Sequence, residues 1–457
     1  MGQEAANYLA TSVKHFLKKL FQNFGESGFA YAVLRNYEGL PESIDHDLDL
    51  LVSDLRLFEG AVRNAAEGGD WTLVRKVQRY AFMSVFCVRP DAADFPVVQV
   101  DAWSPFTWKG MVLISPEVLR HRHQHPNGFD ILSPGAEAAV SLIKNLIYHE
   151  KVQEKYKPLI PAMARGDRGG FFQALEGPFG AALTRRLYDL AGRGDWAGIE
   201  ALAGELRCTL ALRAVRRQPL TQLGRWLAFL WGHGAKFFQP TGMFVVLIGP
   251  DGSGKSTVAQ GLQVFMKRLF AGVRYYHGHF EILPRLRDLA GRLGLMGATR
   301  SEGPGPISST PASKGRRFGL LRSAVYLSYY GMDYLLGHLI IFWARGRGQL
   351  VIFDRYYYDY VIQPGMSLPQ GLIFALLKLV PAPDAVIYLK NDPETILSRK
   401  PELTRQELER QGWVCGRLMD RFGHGCVVET TGTPGETVSR VGRVIAARLA
   451  QSTAASV

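Results

Sequence analysis

The chain has 457 residues, which at roughly 100–200 residues per domain predicts two to four domains. Its composition, 47% hydrophobic and 21% charged, excludes whole-chain disorder and a fibrous protein. The four cysteines are far apart without a Cys-x-x-Cys pair, which excludes a disulfide framework or cysteine zinc site and favours the cytoplasm. No apolar run is long enough to span a bilayer, and the N-terminus lacks a signal-peptide pattern.

The formal net charge of +13 is unevenly distributed along the chain. It is −2 over residues 1–125, +5 over 126–240 and +10 over 241–457. A basic C-terminal part indicates an anionic partner, such as nucleotide phosphates, an acidic substrate, a membrane surface or nucleic acid. Charge alone leaves these alternatives open.

The pattern of residues 1–128 predicts a small α/β or α+β domain. Apolar residues over 9–24 recur at helical spacing with lysines on the other face, which favours a packing helix over a membrane-surface helix. Short β-type runs follow at 29–34, 48–52, 84–88 and 97–100. Residues 129–238 then predict a helical domain, with candidate helices at 135–151, 171–176, 180–192, 195–215 and 219–231.

Residues 239–457 alternate strand and helix, which predicts a doubly wound α/β domain. The predicted elements lie at 243–248, 256–270, 320–344, 349–353, 371–380, 385–390 and 434–450. The segment 297–317, rich in Gly, Ser, Pro and Thr, predicts a mobile loop inserted in this domain.

The strongest motif lies between the apolar strand 243–248 and the helix that follows. It fits G-x-x-x-x-G-K-[ST], and its candidate nucleotide-binding residues are Gly249, Gly252, Ser253, Gly254, Lys255, Ser256 and Thr257. Glycines let backbone N–H groups turn toward an anion at a helix N-terminus. Lys255 is expected to neutralise the β- and γ-phosphates of ATP, and the Ser256 hydroxyl to help hold Mg²⁺.

Two further features fit a phosphate site. The apolar strand 350–353 ends in Asp354, where such folds hold Mg²⁺ or its water, and Arg355 beside it could bind an acceptor anion. Cations of the segment 392–410 could close over the phosphates, although a solvated basic face is the alternative. They are Arg399, Lys400, Arg405 and Arg410.

These motifs, G-P-D-G-S-G-K-S-T, V-I-F-D-R-Y-Y-Y-D and R-K-P-E-L-T, resemble the thymidylate kinase-like branch of P-loop kinases over residues 241–457. The resemblance implies that Asp251 approaches the acceptor, that Asp354 supports metal or acceptor, and that Arg399 or Arg405 belongs to a lid. The residues after Asp-Arg-Tyr differ from those that read thymidine in that family. A different acceptor pocket is therefore expected from 326–334 with His277 and His279, and a sugar or glycolipid acceptor is implied by analogy with kinase-like chains of surface-polysaccharide pathways.

Carboxylates in the N-terminal part form a second candidate site. Asp47 and Asp49 lie two apart on a predicted strand and so share a face, and Asp101 ends another apolar strand. Converging carboxylates repel each other unless a cation lies between them, which predicts a divalent-metal site. The alternative is that they are exposed strand-end carboxylates.

The run Y-A-V-L-R-N, the D-x-D and the later lone Asp resemble the nucleotidyltransferase fold of the polymerase-β type over residues 28–150. That family has a Gly-Ser pair where this chain has Arg35-Asn36. Binding of a sugar or nucleotide without transfer is therefore an alternative, with Lys144 and Lys151 completing the cleft.

The sequence thus predicts a multidomain α/β protein: an ATP- and Mg²⁺-dependent kinase acting on a small-molecule or glycan acceptor, fused to a nucleotidyltransferase-like domain. A nucleoside monophosphate kinase, a nucleic-acid-binding protein and a regulatory NTP-binding protein are the alternatives. No stable nucleic-acid complex is expected, because no reader motif is present. The sequence leaves the oligomeric state and membrane-surface contact open.

Overall fold

The computed structural model describes residues 2–44, 47–67, 70–92, 95–284, 320–362, 378–399 and 403–455. The chain divides into two units, Met1–Ala235 and Lys236–Val457. The finer division predicted at 128/129 and 238/239 stays a prediction. The predicted insertion 297–317 lies outside the described residues, as does most of the predicted element 371–380.

A seven-stranded mixed sheet forms the centre of the first unit. In spatial order its strands are Thr72–Arg79, Phe82–Val88, Val97–Trp103, Asp47–Val52, Tyr31–Val33, Asp130–Ile131 and His123–Gln124. Strands Phe106–Trp108 and Met111–Ile114 form a separate antiparallel pair. Asp47–Val52 pairs in parallel with Val97–Trp103, with Asp49 opposite Asp101. The β-type runs predicted from the sequence are therefore strands of one sheet, and two of them bring the carboxylates together.

Helices make up most of the rest of the first unit and pack on the sheet strands and on one another. They are Gly2–Glu26, Leu55–Glu67, Pro134–His149, Ile160–Gly166, Arg168–Phe179, Ala181–Arg193, Trp196–Ala201, Ala203–Arg217 and Pro219–Phe238, with 3₁₀ turns at Pro116–His121 and Glu154–Tyr156. The apolar stripe of the first helix is buried in the hydrophobic core, through Phe16, Leu17, Leu20, Phe21 and Phe24. The interpretation of this helix as a packing element is thus confirmed.

Several helix predictions were wrong in their bounds; in the second unit, for example, the predicted helix 256–270 ends at Phe265. The predicted helix 195–215 is two helices that meet at Leu202. Ile199, Leu202 and Leu206 are all buried, so the apolar spacing continues across the break and conceals it. The predicted helix 219–231 runs on to Phe238, because glycines within a helix cost only about 1 kcal/mol each relative to alanine, whereas the first proline comes at Pro240.

The second unit contains a five-stranded sheet in which all neighbouring strands are parallel. In spatial order the strands are Val273–His277, Leu350–Asp354, Met243–Ile248, Ala385–Lys390 and Gly425–Glu429. The strand Met243–Ile248 comes first in the sequence and lies in the middle, so the connections leave it in opposite directions. Ligands of such sheets bind at the carboxyl ends of the strands near this switch point.

The helices described in this unit are Lys255–Phe265, Leu320–Gly346, Asp359–Ile362, Pro393–Arg399, Arg405–Met419 and Pro434–Ala455. The three inner strands are apolar and almost entirely buried, as expected for a parallel sheet covered on both faces. The doubly wound α/β architecture predicted for this part is confirmed. Among the described residues, no helix combines the length and apolarity that a membrane span requires.

Candidate functional site

The glycine loop connects the central strand Met243–Ile248 to the helix that begins at Lys255. Gly249, Gly252 and Gly254 have φ angles of +152°, +87° and +90°, a region that residues with a Cβ rarely adopt. A Cβ at Gly249 would lie 2.9 Å from the carbonyl oxygen of Leu389. The loop therefore needs glycine both for its turns and for its close approach to the next strand.

Lys255 is 5% exposed and lies against this loop. Its Nζ donates to the carbonyl oxygens of Gly249 at 2.7 Å and Pro250 at 2.8 Å. The Asp251 carboxylate lies 3.7 Å from the same ammonium. The lysine charge is thus placed at the N-terminal end of a helix, where the helix dipole also favours an anion.

Asp354 ends the neighbouring strand, opposite Leu247, and its side chain is fully buried. Its Oδ2 accepts hydrogen bonds from the Ser256 hydroxyl at 2.8 Å and the Tyr275 hydroxyl at 3.1 Å. His277 Nδ1 lies 3.3 Å from the same oxygen. The structure therefore brings together Ser256 and Asp354, the pair expected to serve Mg²⁺.

The charge state of Asp354 follows from these neighbours. Burial acts to raise its pKa, but the His277 hydrogen bond, the Lys255 charge and the Ser256 hydrogen bond outweigh it and lower the pKa below the ordinary value. Its second oxygen, Oδ1, is buried with no hydrogen-bond partner among the described residues. An ionised carboxylate oxygen without a hydrogen-bond partner and a nearby serine hydroxyl are oxygen ligands that fit Mg²⁺.

Arg355 and Asp251 form an ion pair in which Arg355 Nη2 donates to Asp251 Oδ1 at 2.5 Å. Arg355 has a φ of +60°, which is uncommon for a residue other than glycine and is found at functional sites. The predicted acceptor residues Asp251 and Arg355 therefore lie together and next to Lys255.

Asp359 is a site candidate that the sequence analysis did not single out. Burial raises its pKa to about 6, with the negative charges of Asp251 and Asp354 adding to the rise and the positive charges of Lys255 and Arg355 opposing it. These contributions place Asp359 in the same charged cluster. Its position at the end of the Y-Y-Y-D run is the only sequence signal that could have identified it.

The remaining loop residues differ in their surroundings. Ser253 is 1% exposed, and its hydroxyl has no hydrogen-bond partner among the described residues, while Thr257 is exposed to solvent.

In the basic segment 392–410, Arg405 is exposed and donates hydrogen bonds to Glu409 at 3.0 Å and Glu394 at 3.3 Å. The side chain of Arg399 and all of Lys400 lie outside the described residues, so a lid role for this basic segment stays a prediction.

Several described residues of the predicted pocket stretch 326–334 are used for packing. Asp333 is buried and accepts backbone N–H groups of Phe280, Ile282 and Leu283, each at 2.9 Å. Tyr334 is 1% exposed. His279 stacks on Tyr330, with ring centroids 4.1 Å apart. Asp333 is therefore committed to holding the segment 280–283, and an acceptor pocket here stays a prediction.

In the first unit, Asp47, Asp49 and Asp101 converge. One carboxylate oxygen of each lies within 4.8 Å of the others. Asp49 and Asp101 are 1% and 7% exposed, so they are not the exposed strand-end carboxylates of the alternative interpretation. Oxygens at this spacing, with Asp49 Oδ1 buried and lacking a hydrogen-bond partner in the described part of the chain, fit a divalent cation.

The carboxylates differ in the charge of the groups that contact them. Arg35 forms an ion pair with Asp49, and Lys144 Nζ lies 4.0 Å from the same carboxylate. Asp101 instead accepts from two neutral groups, the Ser84 hydroxyl at 2.5 Å and the Gln99 amide at 3.0 Å. Lys144 thus borders the site as expected, whereas Lys151 is exposed to solvent.

The pKa of Asp101 reflects this surrounding. Burial raises it to about 6, the Ser84 and Gln99 hydrogen bonds oppose the rise, and the charges of Asp47 and Asp49 add to it. The fold therefore opposes the ionisation of Asp101. A bound cation would reverse that preference.

Comparison with family models and with curated proteins finds no match. Solved structures similar to part of the chain include the thymidylate kinase of Ehrlichia chaffeensis, at 18% identity and a TM-score of 0.30, covering 44% of this chain and 97% of that one. The thymidylate kinase of Candida albicans matches at 18% identity and a TM-score of 0.32, covering 45% of this chain and 91% of that one. Both TM-scores are low.

Proposed function

We propose that the second unit is an ATP- and Mg²⁺-dependent kinase that transfers the γ-phosphate to a small-molecule or carbohydrate-type acceptor in the cytoplasm. One observation carries this proposal: Lys255 at the glycine loop and the Ser256–Asp354 pair lie at the carboxyl ends of adjacent parallel strands. Phosphoryl transfer depends on positioning and on neutralising charge, which these groups supply.

Each residue has a proposed role. The loop backbone binds the phosphates, and Lys255 exchanges its carbonyl partners for β- and γ-phosphate oxygens. Ser256 and Asp354 would hold Mg²⁺, which supplies further neutralisation of the phosphates. Arg355, held by Asp251, binds the acceptor, and Asp359, with its pKa near 6, accepts the proton of the attacking hydroxyl.

The class of acceptor is proposed from the sequence that follows Arg355. Tyr356, Tyr357 and Tyr358 are buried in the hydrophobic core of the second unit. The sequence after Asp-Arg-Tyr lacks the residues that read a thymine base in thymidylate kinases. This favours an acceptor that presents hydroxyl groups, such as a sugar of a surface polysaccharide, over a nucleoside monophosphate.

The test is a screen for acceptor-stimulated ADP release by the full chain. Sugars, sugar phosphates and nucleoside monophosphates are each supplied with ATP and Mg²⁺, and Lys255→Ala serves as the inactive control. A sugar-type acceptor that raises ADP release supports the proposal. Stimulation by nucleoside monophosphates alone indicates the nucleoside monophosphate kinase, and turnover that no acceptor changes indicates a regulatory NTP-binding protein.

We further propose that the first unit binds a divalent cation and a nucleotide, as in nucleotidyl transfer. The convergence of Asp47, Asp49 and Asp101 within 4.8 Å carries this proposal. Metal ions held by these three carboxylates would help activate an attacking oxygen and stabilise the leaving diphosphate. Arg35 and Lys144 beside Asp49 would offer positive charge to the phosphates.

Calorimetric titration of the full chain with Mn²⁺ tests the metal site. Asp47 is the most exposed of the three, so Asp47→Asn should abolish the binding heat of this site with little effect on folding. Glu67→Gln, an exposed carboxylate change in the same unit, is the matched control. Heat that is unchanged in Asp47→Asn would contradict the proposal.

The nucleic-acid alternative predicts a different result. Salt-dependent retardation of DNA by the full chain would favour it, and retention of that shift in Lys255→Ala would separate it from nucleotide binding at the loop.

A further inference from the structure

A cavity in the first unit has none of the three carboxylates Asp47, Asp49 and Asp101 in its wall. Its volume is about 350 Å³, within the range of small-molecule sites. It is bounded by the 3₁₀ turn Pro116–His121, the C-terminal ends of helices Arg168–Phe179 and Ala203–Arg217, and the first turns of Pro219–Phe238. Several independently placed elements therefore enclose it.

The cavity is strongly basic. Arg120, Arg213, Arg217 and Arg225 line it, and Glu117 is the only carboxylate among the described residues of its wall. None of these arginines forms an ion pair with a described residue. Among the four, Arg217 alone has a hydrogen bond to a residue that the structure describes, from Nη1 to the Gly177 carbonyl at 3.1 Å. A concentration of unpaired guanidinium groups in a concave site favours an anion, and their planar fork suits phosphate in particular.

Two buried polar atoms in the wall point to the occupant. Arg213 Nε is buried and has no hydrogen-bond partner in the described part of the chain. Gln222 is 1% exposed, its Nε2 donates to the Gly110 carbonyl at 3.2 Å, and its Oε1 has no partner there. A buried donor and a buried acceptor left unbonded are costly. A ligand with an anionic oxygen and a hydroxyl donor would satisfy both.

We propose that this cavity binds a phosphorylated sugar. Its phosphate is held by Arg213 and Arg225 with help from the other arginines, and one sugar hydroxyl donates to Gln222 Oε1. Neutral sugars lack the phosphate that the arginines recognise, and inorganic phosphate lacks the sugar ring that would carry a hydroxyl to Gln222 Oε1 while the phosphate stays on the arginines. The site does not depend on the kinase proposed for the second unit.

Calorimetric titration of the full chain tests this site, with glucose 6-phosphate as the probe and inorganic phosphate and glucose as comparisons. Because the glycine loop could also bind a phosphate, all titrations are made in the Lys255→Ala background as well. Glucose 6-phosphate should bind more tightly than inorganic phosphate, glucose should not bind, and Lys255→Ala should leave the affinity unchanged.

Substitutions of residues that line the cavity then identify which of them contact the ligand. Arg213→Gln and Arg225→Gln should each weaken glucose 6-phosphate by about tenfold or more, the size expected for a lost charged hydrogen bond. Gln222→Leu should weaken glucose 6-phosphate but leave inorganic phosphate unchanged. Arg186→Gln, an exposed arginine of the same unit, should have no effect, and circular dichroism checks folding. Absence of glucose 6-phosphate binding, or binding lost in Lys255→Ala and retained in both arginine variants, would overturn the proposal.

Discussion

Replacing Asp101 by asparagine should stabilise the protein at neutral pH in the absence of divalent metal. The pKa of Asp101 is raised to about 6 from an ordinary 3.8, with burial as the largest cause. Because an acid whose folded-state pKa is raised favours folding only while protonated, wild-type stability is lost as the pH rises from about 4 through about 6. Asparagine cannot ionise, so the variant avoids this loss.

The size of the effect follows from the shift. A rise of about two pKa units at about 1.4 kcal/mol per unit makes the ionised side chain about 3 kcal/mol unfavourable at pH 7.5. The substitution also removes one favourable contact. Gln99 Nε2 donates to both carboxylate oxygens of Asp101, whereas the asparagine side chain has only one acceptor oxygen. The lost hydrogen bond costs about 1 kcal/mol. The expected net stabilisation is about 2 kcal/mol at pH 7.5, falling toward zero or below near pH 4.5.

Scanning calorimetry of the full chain in chelator-treated buffer, from pH 4.5 to 8, measures this difference. The melting transition of the first unit should rise in the variant at pH 7.5, and Mn²⁺ should restore more stability to wild type than to Asp101→Asn. Asp49→Asn provides the opposite control, because it deprives Arg35 and Lys144 of their buried partner and should lower stability. An Asp101→Asn protein that is less stable than wild type at pH 7.5 would refute this reasoning.

The other predictions concern the glycine-loop site and are checked by steady-state kinetics. Lys255→Ala should lower kcat/KM for ATP by at least about a hundredfold, the typical effect of losing one preorganised charge contact, whereas the exposed Lys267→Ala should not. Asp354→Asn should reduce kcat at saturating acceptor, while Arg355→Ala should mainly raise the KM of an anionic acceptor; identical defects would argue against separate roles. Asp359→Asn should remove an inflection near pH 6 from the kcat/KM profile, below which protonated Asp359 cannot act as a base.

The glycine-loop site was largely predictable because its determinants are local in sequence. The turns of Gly249, Gly252 and Gly254, and the helix that begins at Lys255, are fixed within a few residues. Asp354 was predictable because parallel strands end at the same edge of a sheet, so a carboxylate at a strand end falls near the loop.

The residues that contact Asp354 were harder to predict from the sequence. Tyr275 and His277 belong to the strand Val273–His277, which was missed because its polar and aromatic residues show neither the apolar run of a buried strand nor clean alternation. The last strand, Gly425–Glu429, was missed for a similar reason. Both lie at the edges of the sheet, where burial imposes the least pattern on the sequence.

In the first unit, the convergence of Asp47, Asp49 and Asp101 was predictable from strand alternation, but their pairing was not. The Arg35–Asp49 ion pair and the Ser84–Asp101 hydrogen bond join separate strands and loops. Such contacts depend on how segments meet in space, which the linear pattern does not encode. Because of these contacts, the charge of Asp49 is balanced by Arg35, whereas Asp101 has a neutral partner and could still bind a cation.

The pairing of Asp49 opposite Asp101 limits how this part of the chain can change in length. Side chains alternate between the two faces of a strand, so inserting or deleting one residue within Val97–Val100 would turn Asp101 to the opposite face and put an apolar neighbour in its place. Exposed turns elsewhere can absorb such a change by adjusting their path. Homologous chains that retain the three carboxylates should therefore keep the lengths of these two strands fixed while their surface loops vary.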